Sequence, residues 1–162
     1  MKATELLEFL REIYRDRHTL RNRNVAAAAH VADYNFNNTY QYVVNRSDGH
    51  VRWLQDAIEE MGGKPEEITS ADLKVAGKGR DAERSLIQGD RDAARQFVEK
   101  WTPRIEGLPN ARHKTMLRIM LGEVREQERF FEQALAGRED LLGRRTDGAG
   151  TGGGVMPTRW VG

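Results

Sequence analysis

The sequence predicts an all-α fold, a four-helix bundle of two antiparallel hairpins joined by one long crossover. Three observations carry this. Apolar residues recur at helical spacing in four stretches, and no stretch alternates as a strand does. Each stretch is long, about 25–28 residues or near 40 Å at 1.5 Å per residue. The breaks between them run short, long, short. Short turns make each flanking pair an antiparallel hairpin, and a middle connection of about 16 residues favours an up-down-down-up topology.

The first helix is expected from about Thr4, as N-cap, to about Val31, with Leu6, Leu10, Ile13, Tyr14, Ala28 and Val31 on its stripe. Asp33-Tyr-Asn-Phe-Asn-Asn38 follows, and its asparagines favour a turn. The second helix then runs to Met61, placing Tyr40, Val43, His50, Val51, Leu54, Ile58 and Met61 on one face. Gly62 and Gly63 stop it, and Pro65 prevents its resumption. A polar connection from 64 to about 79 ends in Gly77-Lys-Gly79. The third helix is expected from about Asp81 to Ile105, with Leu86, Ala93, Phe97 and Trp101 in phase and Pro103 ending or kinking its last turn. Gly107-Leu-Pro-Asn110 reverses the chain, with Asn110 as N-cap. The fourth helix carries Leu117, Met120, Leu121, Val124, Phe131 and Leu135, and closes near Gly137 or Gly143. Residues 1–142 thus form the bundle. Residues 143–162 hold seven of the 16 glycines, a linker composition, and end in a short apolar tip with Met156 and Trp160.

Composition removes whole classes of function. The 162 residues include no cysteine, so disulfides, Cys-ligated zinc, iron–sulfur clusters and a cysteine nucleophile are excluded. Lys and Arg number 26 against 25 Asp and Glu, which removes the usual reason to expect nucleic-acid binding. No apolar run approaches a membrane span, and the opening Met1-Lys-Ala-Thr-Glu5 lacks the apolar segment of a signal peptide. A cytoplasmic location is expected.

One segment narrows the fold class. Ser47-Asp-Gly-His-Val-Arg-Trp-Leu-Gln55 resembles the Glu-x-Gly-His-x-x-Trp-Leu-Glu metal-ligand segment of bacterioferritin-type helices. With the helix layout over about residues 4–136, this gives a resemblance to the ferritin-like superfamily. The resemblance implies a dinuclear iron site, with a carboxylate on each of two helices and Glu-x-x-His on each of the other two. Helical phase at about 100° per residue tests those positions. On the second helix both 47 and 50 point inward, so the first ligand is Ser47 and only His50 survives. On the fourth, position 126 lies about 200° from Val124 and 123 about 100° away at the edge, so the in-phase pair is Val124 and Gln127. Glu128, within about 40° of the core centre, is the one acid there expected to reach inward. The family's spacing within a hairpin, carried back from Ser47 and Val124, implies Tyr14 and Arg91, with Asp90 next door in better phase. The expected centre holds Tyr14, Arg17, Ser47, His50, Asp90, Val124 and Gln127, with Glu128 nearby. A guanidinium there opposes metal binding.

Each feature has a plain reading and a sharper one. His50 is a hydrogen-bonded core histidine, or it holds a single iron or manganese with Asp90 and Glu128. Arg17 forms a buried ion pair with Asp90, or it snorkels to a bundle end or a dimer surface. The run Arg11, Arg15, Arg17, Arg21 and Arg23 is interleaved with Glu8, Glu12 and Asp16, as a solvated, paired face would be. A Ser47–His50–Asp48 triad is rejected, because Asp48 points away from His50 on a helix. Gly77-Lys-Gly-Arg80 is too short for a phosphate-binding loop. The tail is a disordered remnant, or it docks through Trp160 on a protein partner. The leading expectation is a non-catalytic ferritin-like scaffold or interaction protein that has lost the dinuclear site and needs no cofactor. It is expected to be homo-oligomeric through the exposed aromatic and Tyr/Asn surface near Tyr34, Tyr40 and Tyr42. The alternatives are a ferritin-like oxidase or iron-handling protein using His50 with Asp90 or Glu128, and a small-molecule binder in the bundle centre.

Overall fold

The computed structural model of the protein describes residues 1–75, 77–138 and 141–142. The expectations for Met156, Trp160 and the rest of 143–162 lie outside the described residues. The described residues form four α-helices and no strand: α1 (Ala3–Ala28), α2 (Tyr34–Glu60), α3 (Arg80–Glu106) and α4 (Ala111–Leu135). No helix among them is long and apolar enough to cross a membrane.

The helix ends differ from expectation where capping chemistry overrides residue preference. α1 begins ahead of Thr4, because the Glu5 carboxylate accepts the Lys2 backbone N–H at 2.8 Å. It ends at Ala28 rather than Val31. Asn35, Asn37 and Asn38 do not form a turn and instead open α2. Asp33 caps that helix, accepting the Phe36 N–H at 3.0 Å, while Asn37 Nδ2 donates back to the Ala28 and Val31 carbonyls. Pro103 sits in the last turn of α3, which ends at Glu106, close to the expected Ile105. Asn110 caps α4 as expected, accepting the His113 N–H at 3.0 Å. Gly62 at φ +79° and Gly137 at φ +87° follow α2 and α4 in the left-handed conformation that glycine adopts at helix ends.

Cross-helix contacts fix the neighbours. Arg21 pairs with Asp48 at 2.8 Å and Tyr14 with Gln55 at 3.1 Å, so α1 and α2 are antiparallel. Glu12 pairs with Arg104, Asp16 with Lys100 and Arg23 with Asp90, so α1 and α3 are also antiparallel. Glu106 with Arg118 and Glu128 with Arg95 set α3 against α4 in the same sense. Glu60 with Arg112 and the Tyr42 ring against Phe130 do so for α2 and α4. Two apolar clusters fill the bundle. One gathers Leu10, Ile13, Leu54, Ile58, Trp101 and Leu117, and the other Ala27, Tyr40, Val43, Leu86, Phe130 and Phe131. Trp101 anchors the first: its ring stands edge-on to Phe9, its N–H donates to Asp16 at 2.9 Å, and Arg104 lies over its face at 4.3 Å.

Gly122 is exposed within α4, and a Cβ there would meet nothing within 4 Å. Gly122→Ala is expected to stabilise the fold by about 0.5–1 kcal/mol, read as a higher urea midpoint at unchanged slope.

Candidate functional site

On every helix the change from one apolar cluster to the other falls at buried polar side chains. These are Arg17 and Asn24 on α1, Ser47 and His50 on α2, Asp90 on α3 and Gln127 on α4. Helical phase turned them inward, and burying them without partners would cost several kcal/mol. All but Gln127 are tied into two hydrogen-bonded groups.

The first group is a chain through α1, α2 and α4. Arg17, fully buried, donates from Nη2 to Ser47 Oγ at 2.7 Å and from Nε to His50 Nδ1 at 3.2 Å. The Ser47 hydroxyl donates in turn to the Val43 carbonyl at 2.7 Å. With Nδ1 accepting, the proton of neutral His50 sits on Nε2 and is donated to Glu123. Burial pushes the His50 pKa down, so this contact is a hydrogen bond to a carboxylate rather than an ion pair. Its hydrogen bond with His50 holds Glu123 below the usual carboxylate range, and Arg46 approaches it at 3.6 Å from the solvent side. Burial lowers the Arg17 guanidinium to about 10, which leaves it charged at neutral pH. Phe97 carries its face, 5.9 Å from the ring centre. Arg17 Nη1 and Gln127 Nε2 are buried donors without a hydrogen-bond partner among the described residues.

The second group surrounds Asp90. Its Oδ1 accepts from Arg23 Nε at 2.9 Å and Asn24 Nδ2 at 3.2 Å, and its Oδ2 accepts from the Tyr40 hydroxyl. Burial pushes Asp90 up to about 6 against those three donors, and burial beside this acid pushes the Tyr40 hydroxyl well up. Arg23 can reach inward because residue 89 is glycine: a Cβ there would overlap the Arg23 guanidinium. Gly89→Ala is therefore expected to displace Arg23 from Asp90 and raise the Asp90 pKa, read by NMR titration of its side-chain carboxyl.

Tyr14, Arg17, Ser47, His50, Asp90, Val124 and Gln127 are all buried, as phase implied. Their partners differ from expectation. Arg17 does not pair with Asp90; it faces α2, and Arg23 takes Asp90 instead. Glu128 does not join the centre, because its carboxylate is drawn to Arg95 at 2.7 Å on the α3 side. Tyr14 is buried, and its hydroxyl meets Gln55 and His18. Tyr40, expected both on the apolar face of α2 and near an aromatic surface, lies in the core and bonds Asp90, while Tyr34 is exposed. Glu123, set aside at the edge of its helix face, is the acid that reaches His50. The missed signals are Gly89, whose bare backbone makes a lane for Arg23, and the α2/α4 seam, which brings an edge carboxylate within reach.

No three His, Asp or Glu side chains among the described residues gather where they could hold a metal ion. No family model, curated protein or solved structure matches the chain.

Proposed function

We propose that the chain is a ferritin-like helical scaffold or interaction protein without catalytic activity, located in the cytoplasm. The up-down-down-up topology with one long crossover between α2 and α3 belongs to the same proposal. Antiparallel contacts of α1 with α2 and α3, and of α4 with both, support it, since they make α2 and α3 run the same way.

One observation carries the functional reading: a fully buried, charged guanidinium stands where this resemblance would put metal. The donor set argues the same way. A ligand must offer a lone pair, yet His50 Nδ1 spends its own on Arg17, and Nε2 holds a proton shared with Glu123. Both Asp90 oxygens accept from α1 and α2, and Glu128 is engaged by Arg95. These residues do not fit a dinuclear iron centre, nor a mononuclear iron or manganese site built from His50, Asp90 and Glu128. The centre instead serves as a fixed polar register that sets how the hairpins meet, as buried polar groups do in other helical assemblies.

Protein incubated with Fe(II) or Mn(II), desalted and assayed for metal is expected to retain far less than one ion per chain. Retention of about two per chain would overturn the non-catalytic reading.

A further inference from the structure

The outer edge of the α2/α4 seam carries two large exposed apolar side chains, Trp53 at 39% and Ile119 at 52% of full exposure. The seam's register makes them neighbours. His50 meets Glu123 and Glu60 meets Arg112, so the numbering falls on α4 as it rises on α2, bringing Trp53 opposite Ile119. Gly49 lies one turn from Trp53 on the same edge, and a Cβ there would meet nothing within 4 Å. It leaves space beside the indole.

The charges around this pair have a pattern. Arg46 stands seven residues before Trp53 and Glu60 seven after; Arg112 stands seven before Ile119 and Glu126 seven after. Seven residues is close to two helical turns, so each set shares one helix edge. Both helices therefore present a base, an apolar residue and an acid in the same order. Turned end for end about the Trp53–Ile119 pair, the pattern meets its own complement, each arginine opposite a glutamate. A surface with that property suits an isologous two-fold contact.

We propose that this face binds a second copy of the chain, α2 against α2 and α4 against α4, each antiparallel. The two-fold axis passes through the Trp53–Ile119 layer, with Arg46 facing Glu60 and Arg112 facing Glu126 across it. The contact covers Arg46 and Glu123, the solvent end of the Arg17–His50–Glu123 chain. It gives the interaction reading above its partner and rests on that reading for its purpose, while its geometry stands on the seam alone.

Sedimentation and light scattering of the full chain test it. At tens of micromolar the mass is expected to be twice 18.5 kDa. Trp53→Glu and Ile119→Glu should each return it to the single-chain mass with unchanged helical circular dichroism. Arg46→Glu and Glu60→Arg are each expected to weaken association by about tenfold or more. A monomeric wild type, a dimer indifferent to both apolar substitutions, or a dimer indifferent to both charge reversals overturns the proposal. The two readings fail separately. A monomer that retains no iron removes this surface alone, and a dimer holding about two irons per chain removes the non-catalytic reading alone.

Discussion

Replacing Arg17 by alanine is expected to destabilise the protein by about 3–5 kcal/mol, measured by urea unfolding at pH 7. The guanidinium is fully buried, and its removal opens a cavity between the two apolar clusters. It also strips His50 Nδ1 and Ser47 Oγ of their shared donor and takes the positive charge away from Glu123. Arg17→Met keeps much of the volume and is expected to cost less than the alanine variant, because it leaves a smaller cavity; Glu123 keeps Arg46 on its solvent side in both. A loss under about 1 kcal/mol for alanine would mean that the guanidinium is not held in the core. The same variants report on His50. The Arg17 charge adds to burial in holding its pKa down, so the methionine variant should move the imidazole titration to higher pH.

Asp90→Asn is expected to change how stability depends on pH. The folded-state pKa of Asp90 is raised from 3.8 to about 6. Between those values the folded chain holds a proton that the unfolded chain has released, so this group's stabilisation is complete below about pH 4. It is lost as pH rises through about 6, an effect on the order of 3 kcal/mol. Asparagine has no such titration. The stability of the variant relative to wild type should therefore climb by about that amount between pH 4 and pH 7. Glu12, held at about 2 by Arg104, and Glu123, held down by His50, slope the other way at more acid pH. They are common to both proteins and cancel in the difference. A flat difference curve would show that Asp90 ionises normally. Asp90→Ala serves as the contrast: it strands the Tyr40 hydroxyl and Asn24 amide in the core and should be less stable than Asp90→Asn throughout.

Much of the bundle was legible along the chain. Periodicity placed all four helices, Asn110 announced the start of α4, and glycines marked the ends of α2 and α4. The misreadings came from giving single residues their average behaviour. The asparagines after Asp33 prefer turns, but one carboxylate in the right place made them the first turn of a helix. Pro103, by contrast, stands as expected in the last turn of α3, which closes at Glu106, one residue beyond the expected Ile105.

The sequence by itself determined which residues point inward, since helical phase is a local property set by 3.6 residues per turn. Arg17, Ser47, His50, Asp90 and Gln127, all buried, follow from that arithmetic. Only the tertiary structure decided who meets whom. Phase gives the direction of a Cβ, whereas the reach of a long side chain depends on how neighbouring helices are offset along their axes. The α2/α4 offset brought Glu123 to His50, and the α3/α4 contact drew Glu128 out to Arg95. A missing Cβ at Gly89 gave Asp90 to Arg23 rather than to Arg17.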